Sequence, residues 1–269
     1  MITAIVPVHN EETRVGTVLS RLLCLDTINK VFVILNGSNQ STREEVAAVY
    51  EKNKGKLTLV SFREPLGIDV PRAVGANLAY TYGAQYALFV DGDLVGEITK
   101  ELSQFVMNTT KHKLDLALMN CYPNLPHEDV FHEPIFYFRR LLNRELGLYH
   151  SIQIATPSHG PHMISRRMLS RVPWSDYGVP PTLLTHAIRH KLIVDIAGEI
   201  PHSCLGSSLK NRTHSELIVD TIAGDCLEAL CLAHHIPRTR TFAGRIYLGY
   251  HGLRRFDLLA EFLAGRFMR

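Results

Sequence analysis

Residues 87–94 read ALFVDGDL. Ala87, Leu88, Phe89 and Val90 form a short apolar run of the kind that lies buried on both faces of a parallel sheet. Asp91 and Asp93 follow at its carboxyl end, and in extended backbone two side chains at that spacing point the same way. Two carboxylates facing one point repel unless a cation lies between them, and oxygen ligands favour hard ions such as Mg2+ or Mn2+. Gly92 lets the backbone bend and a ligand approach closely. An Asp-Gly pair is also an ordinary turn former. The stretch therefore carries two readings, a metal site and a solvated turn, which the surrounding chain has to separate.

Upstream of it the chain alternates strand and helix. The runs TAIVPV (3–8), KVFVIL (30–35), LTLVSF (57–62) and YALFV (86–90) read as strands. Between them, residues 11–25 carry Val15, Val18, Leu19, Leu22 and Leu23 at helical spacing, and residues 42–53 and 71–83 read as helices. Such alternation predicts a mostly parallel α/β sheet with right-handed crossovers. In open sheets of this kind ligands bind outside the carboxyl ends of the strands. The three loops leaving those ends are His9–Glu12, Asn36–Asn39 and Asp91–Asp93, and all are polar. They point to one shared site, although turn chemistry accounts for part of the pattern, with Ser41 or Thr42 placed to cap the second helix.

Beyond residue 100, LDLALMNCY (114–122) reads as a strand and residues 133–149 as an amphipathic helix. Thr182 to His190 looks helical, LIVDIAG (192–198) is a late strand, and residues 216–235 and 252–269 are helical. No internal repeat, low-complexity segment or long linker is visible. In HEDVFH, His127 and His132 are five residues apart rather than the four a zinc-protease helix needs, and Pro134 limits any helix there.

Composition narrows the function classes. With 269 residues, 46% hydrophobic and 20% charged, the chain is an ordinary globular protein. A formal charge of +3 suits anionic substrates but is too weak to argue for nucleic acid, and no nucleic-acid signature appears. Cys24, Cys121, Cys204, Cys226 and Cys231 are odd in number and contain no CxxC pair, so neither a disulfide framework nor a zinc site is indicated. MITAIVPVHNEE enters a strand without a basic leader, and no apolar run approaches the ~20 residues of a membrane span. A cytoplasmic location is expected.

IVPVHNEE (5–12), VFVILNGSNQST (31–42) and LGIDVPRAVGANLAYTYGAQYALFVDGDL (66–94) resemble, in order and spacing, the three motifs of the family 2 nucleotide-sugar glycosyltransferases. Those motifs are an opening P-x-x-N-E-E, a second-strand N-G-S-T-D type, and a glycine-punctuated helix running into D-x-D. HGPHMISRRML (159–169) and YGVPPTLLTHAIRHKLIVDIAG (177–198) are looser matches, similar to the glucosyl-3-phosphoglycerate synthase branch.

The resemblance implies the A-type glycosyltransferase fold, a Rossmann-like, mostly parallel sheet flanked by helices. The expected layout is a glycosyltransferase domain over 1–215 (nucleotide-sugar-binding half 1–95, acceptor half 96–215) and a helical C-terminal extension over 216–269. It implies metal-dependent sugar transfer from a nucleoside-diphosphate sugar to an unknown acceptor. Asp91 and Asp93 would hold Mg2+ or Mn2+, with His202 in GEIPHS as third ligand and His214 lying further on. Pro7, Val8, His9, Asn10 and Glu11 would edge the base and ribose, Asn36 would read the base, and Gly67 and Gly92 would flank the donor. Arg72 either reaches a phosphate or is a solvated arginine on a first helical turn. His162 would face the acceptor.

Many inverting relatives place an acidic pair where this chain has Pro180–Pro181, so Asp176 is the nearest acid available as base, and Trp174 and Tyr177 could line a sugar pocket. Two alternatives compete. A sugar-phosphate nucleotidyltransferase shares the layout, but VPVHNEETR lacks the Gly-rich first loop that class needs. A non-catalytic nucleotide-sugar-binding protein would explain the missing acid.

In the tail, Phe256, Leu259, Phe262, Leu263 and Phe267 share one helical stripe. Most such stripes are buried, so this helix is expected to dock on the core or in a homodimer, with at most weak peripheral membrane contact.

Overall fold

The computed structural model describes residues 1–123, 125, 134–207 and 211–266. His127, His132 and Phe267 lie outside the described residues. Strands β1 (Ile2–Val8), β2 (Lys30–Asn36), β3 (Leu57–Phe62) and β4 (Tyr86–Phe89) run parallel. Next to β4 lies β6 (His162–Ser165), antiparallel to it and to β5 (Leu116–Asn120), and β7 (Val194–Glu199) closes the sheet parallel to β5. The order is β3-β2-β1-β4-β6-β5-β7. The reversal at β6 has a functional consequence. An antiparallel strand begins at the edge where its parallel neighbours end, so the segment leading into His162 rises beside the end of β4, with His162 opposite Phe89. Four residues are too few for a period to show, and the sequence pattern does not mark β6.

Alternation along the strands decides the two faces. Ala4, Val6, Val31, Val33, Leu88 and Met163 pack under α1 (Val15–Cys24), α2 (Gln40–Lys52) and α4 (Thr99–Lys111). Ile5, Phe32, Ile34, Phe89 and Ile164 pack on the other face. Here lie α3 (Val70–Thr81), α5 (Pro134–Glu145), α8 (Thr182–Arg189), α9 (Arg212–Ala233) and α10 (Phe256–Leu263). Two single-turn helices, α6 (Tyr149–Ile152) and α7 (Arg166–Leu169), complete the set. The expected reading leaves α4 out, yet Leu102, Phe105, Val106 and Thr109 are buried on one face at helical spacing. The cap of α2 is Asn39 rather than Ser41 or Thr42. Asn39 is extended and its side chain accepts from the Thr42 amide at 2.9 Å.

The tail docks on the chain itself. Ile222, Ala223 and Cys226 of α9 and Leu259 of α10 belong to the same buried cluster as Ile5 and Ile34. The Phe262 ring sits 6.0 Å from Phe62, while Leu263 stays 37% exposed. Between α9 and α10, β8 (Thr241–Phe242) and β9 (Arg245–Ile246) form a hairpin whose turn residues Ala243 and Gly244 both have positive φ. No described helix is long and apolar enough to cross a membrane.

Candidate active site at the carboxyl edge of the sheet

The Asp91–Gly92–Asp93 turn stays pinned to β1 after β4 ends. Val90 donates to the Ile5 carbonyl at 3.0 Å and Gly92 to that of Pro7 at 3.3 Å. A Cβ on Gly92 would lie 3.1 Å from the Pro7 oxygen, so the close approach of the turn to β1 favours glycine. Arg72 Nη2 donates to Asp91 Oδ1 at 2.7 Å and its Nε to Asp69 Oδ1 at 3.0 Å. The Arg72 guanidinium is buried, not solvated. The Asp93 carboxylate makes no hydrogen bond or ion pair among the described residues. A pair of carboxylates, one oriented by a guanidinium and the other unoccupied by the chain, fits a hard divalent cation that keeps open positions for substrate oxygens.

Asp69, at the left-handed residue before α3 (φ 62°), is held on its other oxygen by Arg254 Nη2 at 3.1 Å. Arg254 also grips both oxygens of Asp225 at 2.6 and 2.8 Å, and Arg240 bridges Asp225 (2.7 Å) to Glu228 (2.6 Å). The edge carrying Asp91 is thus tied through buried charges to the tail. Burial opposes the ionised form of Asp225, but Arg254 and Arg240 overcome it and hold the carboxyl below its usual range. Asp225, Glu228 and His251 bring ligand atoms within 4.8 Å of one another, as a metal trio would. Arg240 Nη1 occupies the space between them, 3.2 Å from His251 Nδ1, and supplies the cation.

Several expected residues take different roles. Asn36, read as a base contact, is buried, and its amide tethers the β3–α3 loop by accepting from Leu66 N (2.5 Å) and donating to the Gly67 carbonyl (3.1 Å). Gly67, read as flanking the donor, has φ +83°, and a Cβ there would stand 2.4 Å from the Leu253 carbonyl oxygen, so the tail covers it. Asp176, read as a base, accepts from His186 Nε2 at 2.6 Å and from Arg238 Nη2 at 2.8 Å on each oxygen. Burial alone would raise its pKa; His186 and Arg238 bring it down. A carboxylate so held is a poor proton acceptor, and its partners come from α8 and the 238 loop. Trp174 and Tyr177 stack on one another, Tyr177 inside the core and also over Phe89, Trp174 half-buried against it.

The opening motif stays at the edge. His9 Nδ1 lies 2.6 Å from the Asn36 carbonyl, Asn10 Oδ1 accepts from Asn39 N at 2.8 Å, and Ser38 Oγ donates to the Val8 carbonyl at 3.0 Å. His202 is exposed and does not join Asp91 and Asp93 in a three-ligand group among the described residues. Its Nδ1 instead lies 3.1 Å from His159 Nε2, and Tyr122 stacks on both rings. His202 is held near the D-x-D turn by the following segment, since Gly96 N donates to the Leu205 carbonyl at 2.9 Å. His214 pairs with the Tyr250 hydroxyl at 2.6 Å on the tail. His162 is buried flat against Phe89, ring centroids 4.6 Å apart. Burial, then Arg72, push its pKa well below the ordinary histidine value; burial, then Arg139, His202 and Arg72, do the same to His159.

Sequence reasoning missed His159, Tyr122, Arg139, Arg240, Arg254 and Asp225. Two left a signal: Asp225 interrupts the apolar run of α9, and Arg139 stands on the apolar side of α5, one turn from Ile135. At both positions a charge is costly unless a partner neutralises it.

Residues 3–172 match the family described as glycosyl transferase family 2. No curated protein matches the chain. Among solved structures, the chain is similar to glucosyl-3-phosphoglycerate synthase from Mycobacterium tuberculosis. The complex of that enzyme with Mn2+, uridine-diphosphate and phosphoglyceric acid shares 18% identity at TM-score 0.61, over 89% of this chain and 80% of the other. Its complex with Mn2+, uridine-diphosphate-glucose and phosphoglyceric acid shares 17% at TM-score 0.65, over 89% and 82%. Its complex with Mg2+ and uridine-diphosphate shares 16% at TM-score 0.60, over 89% and 81%. At such identities the likeness shows the fold, and the fold is the A-type one. With the family motifs standing at the ends of β1, β2 and β4, the chain belongs to glycosyl transferase family 2 and is a glycosyltransferase.

Proposed function

We propose that this glycosyltransferase binds a nucleoside-diphosphate sugar along the ends of β1, β2 and β4. The diphosphate would lie at Asp91 and Asp93 together with Mg2+ or Mn2+. The supporting observation is the carboxylate pair itself, pinned to β1, with Arg72 bound to Asp91 at 2.7 Å. A divalent ion held there neutralises charge on the departing diphosphate. Arg72 orients Asp91, and its Nη1, which makes no hydrogen bond with the described residues, is the donor left for a phosphate oxygen. Pro7, Val8, His9, Asn10 and Glu11 edge the base and ribose. His159 and His162, kept neutral, offer ring nitrogens without adding positive charge. The acceptor approaches from the side of Tyr122 and the segment leading into β6.

Incubating the protein with Mn2+ or Mg2+ and a panel of nucleotide sugars, and following nucleotide release, tests the reaction. For the site, Asp93→Asn is expected to abolish the metal-dependent thermal stabilisation by uridine diphosphate. An undiminished shift in that variant would place the metal elsewhere.

A further inference from the structure

Arg139 is 1% exposed on α5, and its Nε and Nη2 have no hydrogen-bond partner. It makes no ion pair among the described residues, and the Tyr122 hydroxyl lies close enough to feel its charge. The other deeply buried arginines are handled differently, for Arg240 and Arg254 each have carboxylate oxygens within 2.6 to 2.8 Å. A buried guanidinium left in this state is destabilising unless something arrives to neutralise it.

Arg139 has company. One turn along α5, Asn143 donates to the Gln153 and Ala155 carbonyls at 2.7 and 3.0 Å while its Oδ1 stays without a partner. The Thr156 and Ser158 hydroxyls and His162 Nδ1 are also buried and unpartnered. Thr156 and Ser158 lie in the segment that rises into β6 beside the end of β4, and His162 is the first residue of that strand. The Asn143 bonds to Gln153 and Ala155 hold α5 against the start of this segment, and His159 within it feels the charge of both Arg139 and Arg72. A sugar hydroxyl would satisfy the hydroxyls but leave the guanidinium charge unmatched. Anionic oxygens satisfy both.

Resting on the glycosyltransferase reading above, we infer that the acceptor carries an acidic group, phosphate or carboxylate, and that Arg139 binds it with hydroxyls of the 156–158 segment.

The test is thermal shift of wild type, Arg139→Met and Arg139→Lys, with inorganic phosphate and separately with uridine diphosphate plus Mn2+, each against chloride at matched ionic strength. The wild type is expected to be stabilised by both additions. Arg139→Met is expected to lose the phosphate shift and keep the nucleotide shift. Without ligand it should be as stable as wild type or more so, because it removes an unmatched buried charge. Arg139→Lys is expected to keep part of the phosphate shift. An equal phosphate shift in Arg139→Met overturns the inference, and so does a large loss of its unliganded stability, which would mark a structural role. A wild type that responds to the nucleotide but not to phosphate overturns the inference alone. One that ignores the nucleotide with Mn2+ overturns the donor reading as well.

Discussion

Replacing Asp225 with alanine tests whether the tail is locked to the donor edge by charge. Asp225 is 0% exposed, and the side chains it holds, Arg254 and Arg240, are 0% and 6% exposed. In Asp225→Ala, the one carboxylate Arg254 keeps among the described residues is Asp69 at 3.1 Å, and Arg240 keeps Glu228. Removing one member of a buried ion pair leaves an uncompensated charge and costs about 3–5 kcal/mol. For a chain of this size each kcal/mol moves Tm by about 2–4 °C, so the expected fall is roughly 6–20 °C at pH 7.

Calorimetry on Asp225→Ala, Arg254→Met and the double variant isolates the pair. The double variant should cost less than the sum of the singles, because the stranded guanidinium is gone. The pH dependence gives a second check. The folded pKa of Asp225 lies below its ordinary 3.8, so its stabilisation is present above that value and is lost as pH falls through the folded one. Wild type and Asp225→Ala should therefore converge only in strong acid. Additivity within about 0.5 kcal/mol, or a loss under about 1 kcal/mol, would refute the lock.

Asp176→Asn is expected to lower stability by about 1–3 kcal/mol through its weakened bonds to His186 and Arg238, with kcat unchanged; a fall in kcat of about a hundredfold at unaltered Tm would restore Asp176 as the base. Gly67→Ala, at φ +83° and 2.4 Å from the Leu253 oxygen, should cost about 1–3 kcal/mol in urea unfolding; a loss below about 0.5 kcal/mol would show that the tail does not press on the loop. His162 is buried and His159 half-buried, both with pKa values depressed below 6.5, so the unfolded chain takes up their protons first and stability falls as pH drops below about 6.5. His162→Phe, which keeps the stack on Phe89, should flatten that decline by up to about 1.4 kcal/mol per pH unit; an identical Tm profile between pH 7 and 5 would contradict it.

The amino-acid sequence determined those features whose causes are local. Apolar runs of four to seven residues broken by helical spacing specify β1 to β4 and their parallel crossovers, because burial of both sheet faces imposes the pattern residue by residue. The same logic puts Asp91 and Asp93 just past the carboxyl end of a buried strand, although they stand in a turn after β4 rather than in the extended chain that the spacing supposes. What only the tertiary structure decided depends on partners far apart in the chain. Asn36 carries the right residue type for a base contact, but its amide meets Leu66 and Gly67, thirty positions on. Asp176 sits where a base is expected and is disarmed by Arg238, 62 residues away. Asp69 and Arg254 are separated by 185 residues, yet their contact ties the tail to the donor edge. The antiparallel turn of β6 brings His159, His162 and the hydroxyls of the 156–158 segment to the same edge. Coulomb forces and hydrogen bonds act over a few ångströms of space with no regard for separation along the chain, so pairings of this kind leave no period in the sequence and exist only once the sheet has closed.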